Sequence, residues 1–250
     1  MMTENGEWYM TGLEYDDPDC IHSPKDLIEY VKKIGFLPLF GNDIPGFSVE
    51  EHTWAMGWWS GNPDDDPWEW RVQIARSREV AYGKFFCKKA GFISLEWLPY
   101  FANCRRNGYD FGSLYDEGLA NIRSKRIMDI YADPEQEDGW KDEFIFSTEV
   151  KKLAGFGKDG AKNFPGVLME LQMQMYLVMV DFRHRKNKRG EEYGMPVSIL
   201  LPPEAVWGYD AVTAGYIEAP EESANRITAQ IKRLYPSAED SAVQRMVGMR

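Results

Sequence analysis

Three short helical segments followed by two β-rich segments dominate the second half of this sequence. The helices are predicted over residues 119–131 and behind the polar caps Ser147 and Asn163. The β-rich segments lie within residues 175–201 and flank the basic, glycine-containing turn RKNKRGEE. Three helices that lead into a two-stranded hairpin with a charged tip are typical of a winged helix-turn-helix. We therefore assign residues 116–205 to a winged helix domain.

The first half has weaker patterns and is assigned to a second domain, residues 21–115, with a winged-helix-like plan and an irregular aromatic loop. Ser23-Pro24 and Asp66-Pro67 each combine an N-cap with a proline at the first helical position, and so predict two helix starts. VAYGKFF and GFISLEW are predicted strands of a hairpin around CKKAG. Two further elements are expected, a helix from Ser94 or Leu95 to Gly108 and a strand at residues 144–146.

The ends of the chain complete the predicted organisation. Residues 1–20 are interpreted as an N-terminal extension, and residues 206–250 as a helical segment packed on the body. In that segment a helix ends at Pro236, and a last helix begins behind Ser237. The expected fold class is α+β, mostly helical, with winged helix-turn-helix units and short β-hairpins.

The charge of the chain is distributed unevenly. The net charge is -11, yet residues 151–189 carry nine basic and three acidic side chains, which gives +6 there and -17 elsewhere. Affinity for phosphate backbones comes mainly from Lys and Arg, so an acidic chain is not expected to be a general nucleic-acid binder. Any contact with phosphates should be confined to the basic segment. A DNA-binding wing would offer Arg183, Arg185, Lys186, Lys188 and Arg189.

Two other interpretations of this basic segment remain open. A basic hairpin tip is commonly a solvated turn, and winged helices also serve as protein interaction modules. The third helix of the unit, VLMELQMQ, is mostly apolar, so sequence-specific readout of bases is not expected. Gln172 and Gln174 would share a face of a strand, where they could orient a water, bind a base edge or simply be polar positions.

Cofactor and membrane signals are missing from the sequence. The strongest apolar run, LQMQMYLVMV, is about half of the ~20 residues that a membrane-spanning helix needs, and the acidic N-terminus does not resemble a signal peptide. We therefore expect a cytoplasmic protein without membrane contact. Cys20, Cys87 and Cys104 form no CxxC pair and are expected to be reduced. No phosphate-binding, dinucleotide-binding or zinc-binding motif occurs, so no metal and no cofactor is expected.

The loop at residues 36–61 holds the candidate functional side chains. Its tryptophans could form an aromatic cleft for a base or an apolar ligand, or they could be core packing. Its carboxylates lie near His52 and could act as general acids or bases, or they could be surface charges. The candidate cleft residues are Trp54, Trp58 and Trp59, and the candidate catalytic residues are Asp43, Glu50 and Glu51.

Two stretches resemble a known family. REVAYGKFFCKKAGFISLEWLPYFANCRR at residues 78–106, together with residues 119–203, is similar to the AlkZ/YcaQ-like family of bacterial DNA glycosylases. With the first helix included, the resemblance covers residues 24–205. It implies tandem winged-helix domains and an enzyme that unhooks interstrand crosslinks and excises alkylated bases. The family's motif of Gln, a hydrophobic residue and Gln or Asp follows its first helix; here those polar positions hold Pro38 and Phe40.

The sequence therefore supports two hypotheses of function. The first is a DNA-binding protein related to winged-helix DNA glycosylases, acting in the repair of alkylated or crosslinked bases. The second is a non-catalytic winged-helix protein that binds a small molecule or a protein partner in the aromatic cleft. Because the family's two polar side chains are replaced, the sequence leaves open whether the protein is an enzyme.

Overall fold

A computed structural model describes residues 10–136, 139–141 and 143–249. In that part of the chain, helices surround one antiparallel sheet with the strand order β1-β3-β2-β4-β5. The strands are β1 Phe36–Pro38, β2 Val80–Phe86, β3 Lys89–Ser94, β4 Val178–Lys186 and β5 Glu192–Leu201. The helices are α1 Pro24–Ile34, α2 Pro67–Ser77, α3 Leu98–Arg106, α4 Phe111–Asp116, α5 Ile122–Tyr131, α6 Ser147–Leu153, α7 Phe164–Met173, α8 Pro203–Trp207, α9 Tyr209–Thr213, α10 Pro220–Leu234 and α11 Asp240–Val247. The predicted α+β, mostly helical class is confirmed.

The sheet joins strands from both halves of the sequence. β2 and β3 form the predicted hairpin, and β4 and β5 form a second one. The two hairpins meet where Tyr82 of β2 pairs with Met179 of β4. Helices α5, α6 and α7 precede the second hairpin in the predicted order. The assignment of residues 116–205 to a winged helix domain stays a prediction, as does the boundary with residues 21–115.

The register determines where the ends of the two hairpins lie. β2 runs from Val80 to Phe86, and β4 leaves the Tyr82–Met179 pair in the opposite direction. The tip of the β4–β5 hairpin therefore lies beyond the Val80 end of the sheet. Lys89 and the turn before it lie at the Phe86 end.

Helices α1 and α2 begin as the sequence predicts. The Ser23 hydroxyl accepts a hydrogen bond from the Asp26 N–H, and Gly35 ends α1 with φ 99°, a conformation that favours glycine. The Asp66 carboxylate caps α2 by accepting from the Trp68 N–H. Both starts were predictable because the cap and the proline act within four residues of each other.

Several predicted boundaries were wrong. The strand at residues 144–146 is reduced to a single bridge between Phe146 and Ile199. α5 begins at Ile122, where the Asn121 side chain accepts from two N–H groups, rather than at residue 119. Ser147 is the first residue of α6 and not its cap. Asn163 precedes α7 as expected, but it has φ 65° and its side chain makes no capping bond.

Two further predictions about the helices need correction. α3 begins at Leu98 instead of Ser94 or Leu95, because Ser94 is still paired with Val80 in the sheet. Gln172 and Gln174 lie at the end of α7, not on a strand, and both are buried. The Gln172 amide oxygen accepts from the Lys84 N–H, so this side chain ties α7 to β2.

Two consecutive arginines at the end of α3 are buried and bind separate parts of the chain. The Arg105 guanidinium donates to carbonyl oxygens of Phe85, Met246 and Val247, which lie on β2 and at the end of α11. Burial lowers the pKa of Arg105 to about 10, so it is still charged at neutral pH. Arg106 forms an ion pair with Glu204 of α8. α3 therefore anchors the C-terminal helices to the sheet.

Candidate functional site

The three predicted carboxylates converge on one pocket at the Phe86 end of the sheet. The pocket has a volume of about 830 Å³. The loop after β1 supplies most of its wall, and Lys89 at the start of β3 closes one side. The lining residues are Thr11, Phe40, Gly41, Asn42, Asp43, Glu50, Glu51, Trp59 and Lys89. One exposed aromatic face and three carboxylates therefore share a single concave site.

Glu50 is a buried carboxylate whose two oxygens both accept hydrogen bonds. Its side chain is only 2% exposed. Oε1 accepts from the N–H and the hydroxyl of Thr11, at 3.1 and 3.2 Å, and Oε2 accepts from the Gly41 N–H at 2.8 Å. Glu50 thus holds the N-terminal segment against the loop after β1, and it is one of the three carboxylates that line the pocket.

Glu51 is also engaged with its own loop. One oxygen accepts from the Gly46 N–H at 2.8 Å and the other from the Ser48 hydroxyl at 2.5 Å. His52 does not line the pocket; its Nε2 lies 2.9 Å from the Gly46 carbonyl oxygen and 3.1 Å from the Tyr30 hydroxyl. The carboxylates and the histidine of this loop therefore serve different contacts and do not form one acid–base pair.

Asp43 is the most accessible of the three carboxylates. It is exposed, and its Oδ2 accepts from Nη2 of Arg245 on α11 at 2.6 Å. Within the described part of the chain, no group donates a hydrogen bond to Oδ1. Asp43 is thus held in place by one oxygen while the other is open to a ligand.

The predicted tryptophans divide into one pocket residue and two packing residues. Trp59 is 50% exposed and lines the pocket. Trp58 is buried, and its indole N–H donates to the Thr53 hydroxyl at 2.9 Å. Trp54 is half-buried and lies edge-on against Tyr15, with ring centroids 5.3 Å apart. Of the predicted aromatic cleft, only Trp59 offers a ring to the pocket.

A buried aspartate positions Trp59. The Asp66 carboxylate accepts from the backbone N–H groups of Trp59 and Gly61, each at 3.0 Å, in addition to capping α2. Trp59 itself has φ 59°, a left-handed conformation that is uncommon for a tryptophan. The start of α2 and the orientation of the Trp59 backbone therefore depend on one side chain. The sequence showed Asp66 only as a cap, because its other two partners lie in an irregular loop.

The five predicted wing residues lie on the β4–β5 hairpin, but their surroundings differ. Lys186, Lys188 and Arg189 are exposed, and within the described residues none of them pairs with a carboxylate. Arg183 donates to Asp181, and the Arg185 guanidinium lies 5.0 Å from the centre of the Tyr193 ring. The tip presents three free cations, and the two arginines are held by neighbouring groups.

The pocket and the hairpin tip lie at opposite ends of the sheet. The pocket includes Lys89, at the Phe86 end, and the tip lies beyond Val80. A ligand that contacts both must therefore extend along the sheet.

Residues 21–248 match the family described as AlkZ related. The chain belongs to the AlkZ-related family. No curated protein and no solved structure shows a significant match to it. In this AlkZ-related protein Phe40, which takes a polar position of the glycosylase motif, lines the pocket. Phe40 therefore shares one pocket with the three carboxylates, and Pro38 at the other motif position is not among the lining residues.

Neither a cluster of metal-binding side chains nor a membrane-spanning helix occurs in the described ranges. In residues 10–136, 139–141 and 143–249, no three His, Cys, Asp or Glu side chains are grouped as a metal ion requires. The helices in the same ranges reach 15 residues in α10, and none has both the length and the apolarity to cross a membrane.

Proposed function

We propose that this AlkZ-related protein binds DNA and that its pocket receives a base turned out of the duplex. The observation that carries the proposal is the convergence of Trp59 with Asp43, Glu50 and Glu51 on one concave site. A protein that holds an extruded base needs an aromatic surface for the ring and polar groups at its edge. Carboxylates accept hydrogen bonds from exocyclic amino groups, and their charge favours the positive charge of an alkylated base.

The basic hairpin supplies the contact with the DNA backbone in this proposal. The whole chain carries a charge of -11, so attraction to phosphates must come from a local surface. Lys186, Lys188 and Arg189 are exposed, and no carboxylate among the described residues forms an ion pair with them. Membership of the AlkZ-related family supports the same partner.

The wing prediction concerns the salt dependence of DNA binding. Changing Arg185, Lys186 and Lys188 together to Ala is expected to weaken binding and to lower the slope of log affinity against log salt by about one unit per lost phosphate contact. The matched control changes Arg226, Lys232 and Arg233 of α10 to Ala, since this removes the same charge from another surface. Fluorescence anisotropy over a salt series measures both. Equal slopes for the two triple variants would show that the wing does not contact phosphate.

A second candidate function is a binder without hydrolytic activity. It is favoured by the hydrogen bonds that occupy both oxygens of Glu50 and of Glu51, and by the apolar pair Pro38 and Phe40 at the motif position. Under this candidate the pocket holds a base, a small molecule or a protein side chain, and no bond is broken.

Excision of an alkylated base separates the two candidates. If the protein hydrolyses the glycosidic bond, we expect Asp43→Asn to abolish excision with little change in DNA affinity, because Asp43 has the open carboxylate oxygen. Glu51→Gln is the control, since it removes the same charge from the same pocket. Single-turnover cleavage of duplexes with alkylated or crosslinked bases gives the readout. Activity retained by Asp43→Asn would exclude its catalytic role, and DNA binding by the wild type without excision would support the second candidate.

A further inference from the structure

A second concave surface lies between α2 and the β4–β5 hairpin, away from the pocket. This groove has a volume of about 660 Å³. Arg76 of α2 forms one wall, and Arg183, His184 and Lys186 of β4 form the other. Phe146 and Phe182 are the aromatic residues of the lining, and Glu192 is its one carboxylate. The groove has no signal in the sequence because Arg76 and Arg183 are more than a hundred residues apart.

One buried carboxylate holds both arginines of the groove. The Asp181 side chain is only 5% exposed, and its two oxygens each accept from a guanidinium Nε, from Arg76 and from Arg183, both at 2.5 Å. Arg76 also donates from Nη2 to the Phe182 carbonyl oxygen at 2.9 Å. Burial alone would raise the pKa of Asp181, but the hydrogen bonds from the two arginines outweigh it and lower that pKa. Asp181 is therefore ionised at neutral pH and orients both guanidinium groups.

The remaining donors of these arginines are open. Within the described part of the chain, no acceptor engages either terminal nitrogen of Arg183 or Nη1 of Arg76. The Arg183 guanidinium also lies 4.7 Å from the centre of the Phe144 ring, which restricts its motion further. A guanidinium fixed through Nε presents its outer N–H groups to an acceptor at a small entropic cost.

The charge of the groove favours an anion. Arg76, Arg183 and Lys186 supply three positive charges, and Asp181 and Glu192 supply two negative ones. Asp181 is covered by the arginines, so a ligand in the groove faces guanidinium and ammonium groups with Glu192 at the margin. Guanidinium groups bind phosphate oxygens more strongly than neutral donors do, often with two hydrogen bonds.

We propose that this groove binds phosphodiester groups of the DNA backbone, with Arg76 and Arg183 as the paired donors and Lys186 as a flanking charge. The inference rests on the proposed DNA-binding function and adds a second element, α2, to the contact surface. Lys186 at the end of β4 lines the groove and is two residues from the tip cation Lys188, so a DNA strand held in the groove would lie close to the hairpin tip.

The test compares Arg76→Gln, Arg183→Gln and the double variant with Arg226→Gln, by anisotropy on a fluorescent DNA duplex over a salt series. Arg226 is a matched control because it is 56% exposed and paired with Glu218, and Arg76 is 54% exposed and paired with Asp181. Each groove variant is expected to lower the salt slope by about one unit and the double variant by about two, with Arg226→Gln unchanged. Thermal unfolding of each variant identifies any loss of binding that comes from unfolding. Arg76→Lys is expected to keep most of the wild-type slope, because it keeps the positive charge that Arg76→Gln removes.

The outcomes distinguish this inference from the proposed function. If the wild type binds DNA and the groove variants keep its slope, the groove is not a phosphate site, although the protein still binds DNA. If the wild type does not bind DNA even at low salt, both the proposed function and the inference are wrong. A salt slope that is reduced in the groove variants but not in Arg226→Gln supports both the proposed function and the inference.

Discussion

Replacing Glu204 with Ala is expected to lower the free energy of unfolding by about 3 to 5 kcal/mol. Glu204 forms an ion pair with Arg106, and the side chains of the two residues are 5% and 1% exposed. Removal of the carboxylate leaves a guanidinium in the interior without its counter-charge. The cost of an uncompensated buried charge is the reason for the large effect.

The surroundings of Arg106 cannot replace the lost carboxylate. The guanidinium also donates to the Met175 carbonyl oxygen and the Tyr216 hydroxyl, which are neutral. Its Nε has no partner among the described residues. Burial opposes the charge on Arg106, but Glu204 outweighs burial and raises the pKa of Arg106. Without Glu204, the cost of burying the charge of Arg106 is no longer offset, and the contact that holds α8 on α3 is lost.

Denaturant unfolding of Glu204→Ala, compared with Asp129→Ala, measures this effect. Asp129 pairs with Lys125 on the surface of α5, and such exposed pairs contribute about 0.3 to 0.5 kcal/mol. The double variant Arg106→Met with Glu204→Leu is expected to recover most of the loss, because neither charge then remains buried. Losses of equal size in Glu204→Ala and Asp129→Ala would show that the pair is accessible to water.

Replacing Trp59 with Ala is expected to weaken binding to DNA with an extruded base by about 5- to 150-fold, equivalent to about 1 to 3 kcal/mol of base stacking. Trp59 is the exposed ring of the pocket, and its backbone is tied to Asp66. Its ring is therefore presented to the pocket before a ligand arrives. Binding to an intact duplex is expected to change much less, because the backbone contacts lie at the other end of the sheet.

Met56→Ala is the control for this prediction. Met56 belongs to the same loop and is 76% exposed, but it does not line the pocket. Titration of a duplex in which 2-aminopurine faces an abasic-site analogue reports both affinity and base extrusion. If Trp59→Ala and Met56→Ala bind this duplex equally well, stacking on Trp59 contributes nothing and the base-binding pocket is excluded.

The parts of the fold that were predictable depend on short-range signals. The starts of α1 and α2, the β2–β3 hairpin and the order of α5, α6, α7, β4 and β5 all follow from caps, prolines and alternation within about ten residues. The short helices α4, α8 and α9 were missed because each has only five or six residues, too few to show a period.

Contacts between distant segments were not predictable. The pairing of Tyr82 with Met179 joins the two hairpins into one sheet, and neither sequence position indicates it. The ion pair of Arg76 with Asp181 also joins distant segments, and neither sequence position indicates it. Each depends on how the helices pack the strands together, which a single sequence does not specify.

The candidate site was predictable as a group of residues but not in its chemistry. The loop composition grouped Asp43, Glu50 and Glu51 with three tryptophans, and the structure brings the carboxylates and Trp59, but not Trp54 or Trp58, to one pocket. Both carboxylate oxygens of Glu50 accept hydrogen bonds, whereas only one oxygen of Asp43 does, and this difference comes from backbone donors such as the Gly41 N–H. Such donors carry no signal in the sequence, since every residue except proline has one.

The most direct test of the proposed function is the binding of the purified protein to a fluorescent duplex with an abasic-site analogue, at low and at physiological salt. We expect binding that is tighter than to the intact duplex and that weakens steeply as salt increases, because the proposed contacts of the hairpin tip and the groove are with phosphates. Absence of binding at low salt, or an affinity that salt does not change, would contradict the proposed function.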